Sequence, residues 1–77
     1  MAVDAGWHIL RSTMVRAVAY DGERRQLRVR FSNGALYRYH DVPQEVFDTL
    51  LDPPDGSHGR YFNDVIRDGF DYDEESR

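Results

Sequence analysis

The sequence predicts a small α+β domain in which a three-stranded antiparallel sheet is followed by two short helices packed on one of its faces. Three observations lead to this prediction. Residues 26–31 alternate between polar and apolar side chains, as expected for a strand with one buried face. A Ser-Asn-Gly turn signal follows at 32–34, and two apolar stripes at helical spacing lie beyond Pro43. The predicted element order is therefore β-β-β-α-α.

The composition indicates one small domain without a metal or redox site. A chain of 77 residues corresponds to a single domain with a modest core. It has no cysteine, which excludes disulfides and thiolate chemistry, and its three histidines lack the spacing of zinc ligands. No run approaches the roughly 18 apolar residues of a membrane helix, and the N-terminus lacks the features of a signal peptide. We therefore expect a cytoplasmic protein that uses no metal, cofactor or membrane.

Apolar residues and the turn between them mark the first two strands. Residues 14–20 are rich in valine and alanine and end at Asp21-Gly22, which begins a turn. Residues 26–31 form the second strand, with one polar and one apolar side. The apolar side carries Leu27, Val29 and Phe31, and the polar side carries Gln26, Arg28 and Arg30.

The length of the next hairpin loop decides which side of the third strand, residues 35–40, faces the core. A two-residue Asn-Gly loop would place Arg38 among the apolar residues of the second strand and leave both tyrosines of the third strand free to stack on a ligand. A three-residue loop, 32–34, would turn Tyr37 and Tyr39 inward and Arg38 outward. Because burying an unpaired arginine costs several kcal/mol, we favour the three-residue loop.

Two helices are predicted after the sheet. Pro43 suits a helix start, where an N–H would have no partner, and the two prolines within residues 52–56 end the first helix. Ser57 is the expected N-cap of the second helix, and Gly69 is its expected C-terminal stop. The apolar stripes consist of Val46, Phe47, Leu50 and Leu51 in the first helix and Tyr61, Phe62, Val65 and Ile66 in the second.

We expect the folded domain to span residues 12–72. Residues 1–11 show no clear period and are expected to be loosely ordered, and residues 73–77 are expected to form an acidic tail. Charge is divided unevenly, since residues 1–40 hold seven arginines against three acidic residues and residues 41–77 hold three arginines against eleven. This asymmetry predicts one basic and one acidic face.

The polar side of the sheet is the first candidate binding surface. With the three-residue loop, Arg28, Arg30 and Arg38 share this side, and strict alternation along the first strand adds Arg16 and Tyr20. Arginines about 7 Å apart along a strand can follow a phosphate backbone, and an exposed tyrosine can stack on a base. The alternative is a solvated face whose arginines pair with nearby acids, which the net charge of −4 favours.

A second candidate is an anion site at the start of the second helix. Ser57, Gly59 and Arg60 would combine a hydroxyl, free backbone amides and a guanidinium. The alternative is a capped helix in which Gly59 lets the backbone approach the sheet or the first helix closely. A full phosphate-loop motif is absent, and no catalytic triad, Cys-His pair or pocketed carboxylate pair indicates an enzyme. We therefore predict no catalytic residues.

In the order and spacing of its short motifs, the chain resembles the KTSC domain. Such domains occur at the C-terminus of some lysyl-tRNA synthetases and as stand-alone small bacterial proteins. The matching pieces fall within residues 12–70 and are Ser12-Thr13, Ala19-Tyr20-Asp21, Leu27-Arg28-Val29-Arg30-Phe31, Gly34, Tyr37-Arg38-Tyr39, Val42-Pro43, Ser57-His58-Gly59, Tyr61-Phe62-Asn63 and Ile66-Arg67. Pro53-Pro54 departs from the family, which usually has a small helix-compatible residue there. The resemblance implies no established activity. The association of the family with tRNA synthetases implies RNA binding.

We therefore expect a small non-enzymatic module that binds RNA, with tRNA as the natural candidate, through the arginines of the sheet. The alternative is a protein-interaction module with an unidentified protein partner, because a charge-asymmetric surface or an exposed sheet edge also binds proteins. An exposed edge strand leaves both a monomer and a weak dimer open.

Overall fold

The computed structural model describes residues 6–76. Within this range, five strands and two helices follow one another along the chain. They are β1 (His8–Ile9), β2 (Val15–Asp21), β3 (Gln26–Phe31), β4 (Leu36–Tyr39), α1 (Gln44–Leu51), α2 (His58–Tyr61) and β5 (Tyr72–Ser76). Helix α2 continues directly into a π-helical segment, Phe62–Ile66, after which the Arg67 N–H donates to the Phe62 carbonyl at 2.9 Å.

The strands form one antiparallel sheet whose spatial order follows the chain, β1-β2-β3-β4-β5. The α+β class and the two helices are confirmed, but the expectation of a three-stranded sheet is wrong. β1 lies in the segment 1–11 that we expected to be loosely ordered, of which residues 1–5 are outside the described range. β5 takes up most of the expected acidic tail 73–77, of which Arg77 is outside that range. A two-residue strand and an acid-rich strand carry little strand signal in a sequence.

The β3–β4 hairpin has the three-residue loop that the argument from arginine burial favoured. The Phe31 N–H donates to the Ala35 carbonyl at 2.9 Å, and the Gly34 N–H donates to the Phe31 carbonyl at 3.0 Å. Gly34 has a φ of +93°, the left-handed conformation that such a loop requires. In the resulting register Tyr37 and Tyr39 lie on the inner face, which the helices cover, so this prediction is confirmed.

A bulge in β2 changes which of its residues face the core. Val15 and Val18 are both fully buried although they are three residues apart. This is possible because the register between β2 and β3 shifts by one residue between Val15 and Ala17. The bulge leaves Arg16 exposed on the outer side. It also reverses the alternation beyond it, so that Tyr20 lies on the inner face of the sheet.

Helices α1 and α2 cover the inner face of the sheet and complete the core. Phe47 and Leu50 of α1, and Phe62 and Ile66 of the π-helical segment, are buried as their stripes predicted. They pack on a layer of buried sheet residues, which includes Val15, Val18, Leu27, Val29 and Tyr39. Both helices lie on this side of the sheet, and the opposite face carries Arg30 together with the apolar Ala17 and Leu36, its cross-strand neighbours.

Short contacts fix the ends of the two helices. Pro43 immediately precedes α1, and Ser57 caps α2 by accepting the Arg60 N–H at 3.2 Å, so the predicted helix starts are confirmed. His58 Nδ1 donates to the carbonyl of Leu50 at 2.8 Å. This bond ties the last turn of α1 to the first turn of α2 and satisfies a carbonyl that the helix itself leaves unpaired.

Candidate functional site

The outer face of the sheet, opposite the helices, carries four arginines. We call the surface formed by Arg16, Arg28, Arg30 and Arg38 the arginine face. Arg28 and Arg38 are direct cross-strand neighbours in β3 and β4. The β2 bulge places Arg16 beside the residue that pairs with Arg30. The sheet thus brings together the four arginines that the sequence assigned to this surface.

Trp7, which the sequence did not connect with this surface, lies against two of its arginines. The guanidinium carbons of Arg28 and Arg30 are each 5.5 Å from the centroid of the Trp7 ring. A cation at this distance is attracted to the negative face of the ring by up to about 1 kcal/mol at a partly exposed site. Trp7 therefore orders two guanidiniums and adds an aromatic ring to the arginine face.

Glu75 of β5 binds two arginines of this face at once. Its Oε1 accepts hydrogen bonds from both Nε and Nη2 of Arg28, each at 3.2 Å. Its Oε2 forms an ion pair with Nη2 of Arg38. The Glu75 side chain is only 19% exposed, whereas those of Arg28 and Arg38 are 43% and 39% exposed. For Arg28 and Arg38, therefore, the alternative interpretation of arginines paired with a nearby acid describes the structure.

A second acidic residue of β5 lies at the same edge of the face. Asp73 is the cross-strand partner of Arg38, and its Oδ2 is 2.8 Å from Nε2 of His40. β5 thus brings two carboxylates to one side of the arginine face. On the other side Arg16 is exposed and forms no ion pair with the residues that the structure describes. The described carboxylates that pair with arginines of this face therefore come from its β5 side.

Tyr20 is not part of the arginine face, and its predicted placement there is wrong. Its ring stacks on Phe47 of α1, with centroids 4.9 Å apart and planes 13° from parallel. Its hydroxyl donates to the carbonyl of Val42 at 2.5 Å. The bulge at Arg16 explains the error, because one extra residue moves every later side chain of β2 to the opposite face.

The predicted anion site at α2 is an open groove of about 700 Å³ between α2 and the loop before β2. Ser57 Oγ, however, caps the helix, and Arg60 Nη1 lies 3.6 Å from Asp55 Oδ2. Gly59 faces this loop so closely that a Cβ on it would stand 2.9 Å from Ser12 Oγ. A close backbone approach is therefore observed, but it is to the loop before β2 rather than to the sheet or the first helix.

A pocket of about 380 Å³ opens on the inner face, beside the edge formed by β4 and β5. Aromatic rings from three strands line it, and Tyr72 stacks on Tyr37 with centroids 5.0 Å apart. Tyr39 is only 2% exposed. Its burial, reinforced by the neighbouring Tyr72 and Tyr37, raises the pKa of its hydroxyl to about 12. The sequence predicted two inward tyrosines and missed Tyr72, which completes the cluster.

The described residues form neither a group of metal ligands nor a helix that could span a membrane. Within residues 6–76, no group of three His, Cys, Asp or Glu side chains is placed to hold a metal ion. No helix in the same range is long and apolar enough to cross a membrane. The chemistry on the outer face is therefore that of guanidinium, indole and carboxylate groups.

Comparison with protein families matches residues 11–72 to the KTSC domain. The chain belongs to this family. A relative from Stutzerimonas stutzeri, named only as an uncharacterized protein, is 48% identical over 58 residues, which are 75% of this chain and 79% of that protein. A lysine–tRNA ligase from Nostoc sp. is 31% identical over 62 residues, which are 80% of this chain and 11% of the ligase.

A solved KTSC domain protein from Yersinia pestis has the same fold, with a TM-score of 0.81 and 25% identity over 91% of this chain and 96% of that chain. A protein from Tsukamurella paurometabola is 41% identical over 59 residues, 77% of this chain and 85% of that protein. The KTSC match contains all four arginines of the arginine face but neither Trp7 nor Glu75. The two side chains that cover the face therefore come from segments flanking the matched residues.

Proposed function

We propose that this KTSC domain is a non-catalytic module that binds RNA, with tRNA as its natural ligand, through the arginine face. The observation that carries the proposal is the placement of Arg16, Arg28, Arg30 and Arg38 with Trp7 on the sheet face opposite α1 and α2. Guanidinium groups bind phosphate oxygens through paired N–H donors, and an indole offers a base a ring on which to stack.

The spacing on the sheet suits a single strand of RNA better than a groove of a duplex. Neighbouring strands lie about 5 Å apart and alternate residues along a strand about 7 Å apart, so the guanidiniums form a short two-dimensional array. Phosphate contacts of this kind give affinity without sequence discrimination. The array is strongest near Arg16 and Arg30, since Glu75 already neutralises part of Arg28 and Arg38.

The relation to a lysine–tRNA ligase supports RNA as the partner, because an appended domain in such an enzyme has tRNA close by. It also supports the proposed location in the cytoplasm, where tRNA is charged. The net charge of −4 argues against binding over the whole surface. We therefore propose a local interaction, limited to the outer face and strongly dependent on salt.

Fluorescence anisotropy with labelled tRNA over a series of salt concentrations tests the proposal. We expect Arg16→Glu combined with Arg30→Glu to weaken binding about tenfold or more, and to reduce the slope of log Kd against log salt by about two. The matched control combines Arg24→Glu with Arg60→Glu, which changes the net charge equally but off the arginine face. Equal losses in both double variants, or no binding by the parent protein at low salt, would refute the proposal.

A second candidate function is protein binding at the β1 edge of the sheet, favoured by Ile9. Its side chain is 76% exposed, which is unusual for isoleucine, and it lies on an edge strand. We expect a protein partner bound here to remain after nuclease treatment and to be lost in the Ile9→Lys variant. Retention of the partner by Ile9→Lys would exclude this edge as its binding site.

A further inference from the structure

We infer that Arg28 and Arg38 form a clamp for a phosphate group, and that the chain's own Glu75 occupies this clamp until a phosphate displaces it. The inference deepens the proposed function and rests on it, because it names where on the arginine face a phosphate binds and what regulates its entry. β5 would then cover the clamp reversibly, and its Glu75 would compete intramolecularly with the phosphate ligand.

The clamp already holds an anion with the geometry of a charge-assisted hydrogen-bond site. The carboxylate of Glu75 lies between two guanidiniums that approach it from adjacent strands, and it is bonded by three of their N–H groups. Arg28 and Arg38 are held as direct cross-strand neighbours, so the space between them exists in the folded sheet whether or not Glu75 fills it. A phosphate offers these donors the same charge-assisted bonds as the carboxylate.

One donor of the clamp indicates that a carboxylate fills it incompletely. Arg38 Nε is buried and has no hydrogen-bond partner among the described residues. The Glu75 side chain has only two oxygens. Oε1 accepts from Nε and Nη2 of Arg28, and Oε2 pairs with Nη2 of Arg38. A phosphate group has further oxygens beyond these two, which are ester oxygens in an RNA phosphodiester and terminal oxygens in free phosphate, and which can accept from Nε. Leaving a buried donor unpaired is unfavourable, so the clamp fits a phosphate better than it fits Glu75.

The attachment of β5 allows Glu75 to leave without unfolding the domain. β5 is an edge strand and, among the described strands, pairs with β4 alone. Glu75 lies at the register shift between the pairs Tyr37–Glu74 and Leu36–Ser76, where the hydrogen-bond ladder is interrupted. The start of the strand is held separately, by the stacking of Tyr72 on Tyr37 and by Asp73 at His40. The end of β5 can therefore separate while its beginning stays docked.

Neutralising Glu75 provides the test, and its sequence neighbour provides a matched control. Glu75→Gln removes the competing charge from the clamp. Glu74→Gln makes the same change in net charge one residue earlier, where the side chain is the cross-strand partner of Tyr37 on the inner face. Each variant is compared with the parent for binding of labelled tRNA and, separately, for binding of inorganic phosphate followed by the arginine Nε–H signals in NMR spectra. The two ligands distinguish RNA phosphodiesters from free phosphate.

We expect Glu75→Gln to bind its phosphate ligand about fivefold more tightly than the parent, because the variant loses the ion pairs of Glu75 with two partly exposed arginines. Glu74→Gln should stay within about twofold of the parent, and the Nε–H signal of Arg38 should shift when phosphate binds. A fivefold gain with tRNA alone assigns the clamp to an RNA phosphodiester, and a gain with inorganic phosphate alone assigns it to a free phosphate.

Equal affinities for Glu75→Gln and Glu74→Gln with both ligands would overturn the clamp while leaving RNA binding by the rest of the arginine face intact. Failure of every variant to bind tRNA would instead refute the proposed function, and the phosphate measurement would still decide the clamp. If Glu75→Gln loses the β4–β5 amide protection, Glu75→Asp replaces it. The shorter carboxylate keeps the charge but cannot reach both arginines, so we expect the same direction of change, and unchanged phosphate affinity overturns the clamp.

Discussion

Ser12 and Gly59 are in contact across the junction between the β1–β2 loop and α2, where a Cβ on Gly59 would stand 2.9 Å from Ser12 Oγ. The hydroxyl cannot rotate away without breaking two hydrogen bonds, because it accepts from the backbone N–H groups of Met14 and Val15 at 3.1 and 3.2 Å. The pairing of a serine before β2 with a glycine in α2 is thus a steric requirement of the fold.

Gly59→Ala should therefore destabilise the domain by about 1 kcal/mol, although alanine is the better helix former. In a Ser12→Ala background the same change should become stabilising, by up to about 1 kcal/mol, because only the helical preference remains. Urea unfolding of the two single variants and the double variant measures this reversal of sign. A Gly59→Ala effect that is the same in both backgrounds would show that the contact with Ser12 is not its cause.

Tyr20→Phe separates a structural role from a binding role. The hydroxyl of Tyr20 donates to the carbonyl of Val42, just before α1, so its removal should cost about 1 kcal/mol of unfolding free energy. Because the ring lies on the inner face against Phe47, tRNA affinity should stay unchanged. Measuring unfolding and anisotropy on the same sample checks both statements. A loss of affinity with normal stability would place Tyr20 at the RNA surface after all.

Gly34→Ala should destabilise the β3–β4 hairpin by about 1 kcal/mol. No heavy atom lies within 4 Å of a Cβ built at this position, so the cost comes from its φ of +93° alone. Gly34→Asn should cost less, since asparagine tolerates the left-handed region better. Gly22→Ala is the control, because its Cβ would make an ordinary 3.7 Å contact with the Tyr20 ring. Thermal unfolding that ranks Gly22→Ala as the more damaging change would contradict this explanation.

The stability of the domain should fall in alkaline solution because of Tyr39. Its hydroxyl has a pKa of about 12 in the folded state, against an ordinary value of 10.0. Between these two values the unfolded chain loses the proton while the folded chain keeps it, so the unfolding free energy decreases as pH rises above 10. The loss should approach about 2 kcal/mol near pH 12.

Tyr39→Phe provides the comparison for this pH dependence. The variant lacks the late-titrating hydroxyl, so its unfolding free energy should fall less steeply between pH 10 and pH 12 than that of the parent. Absorbance at 295 nm should also show a late step of tyrosine ionisation in the parent that is missing in Tyr39→Phe. Identical pH profiles for parent and variant would rule out Tyr39 as the source.

The sequence predicted the parts of the fold that depend on local patterns. The hairpin at Gly34 followed from the cost of burying Arg38, and Ser57 was recognisable as a cap from its residue type and position. The bulge at Arg16 left no such signal, because an arginine between valine and alanine is equally compatible with regular alternation. One inserted residue was enough to move Tyr20 from the predicted binding surface into the core.

The contacts that cover the arginine face were not predictable for a different reason. Glu75 and Trp7 reach Arg28 only through the sheet, from segments 47 residues after it and 21 residues before it in sequence. An acidic terminal segment resembles a solvated tail, since its charges disfavour a strand unless cations lie opposite. The arginines of β3 and β4 provide those cations, so the strand and the charge pairing depend on each other.

The placement of both helices between β4 and β5 has a kinetic consequence. β1 to β4 are joined by short loops and can pair as successive hairpins. β5 can pair with β4 only after the long connection between Tyr39 and Tyr72 has brought its two ends together. We therefore expect β5 to dock last as the protein folds and to detach first in the native state. A newly made chain would then display Arg28 and Arg38 without their carboxylate for a short time before the last strand arrives.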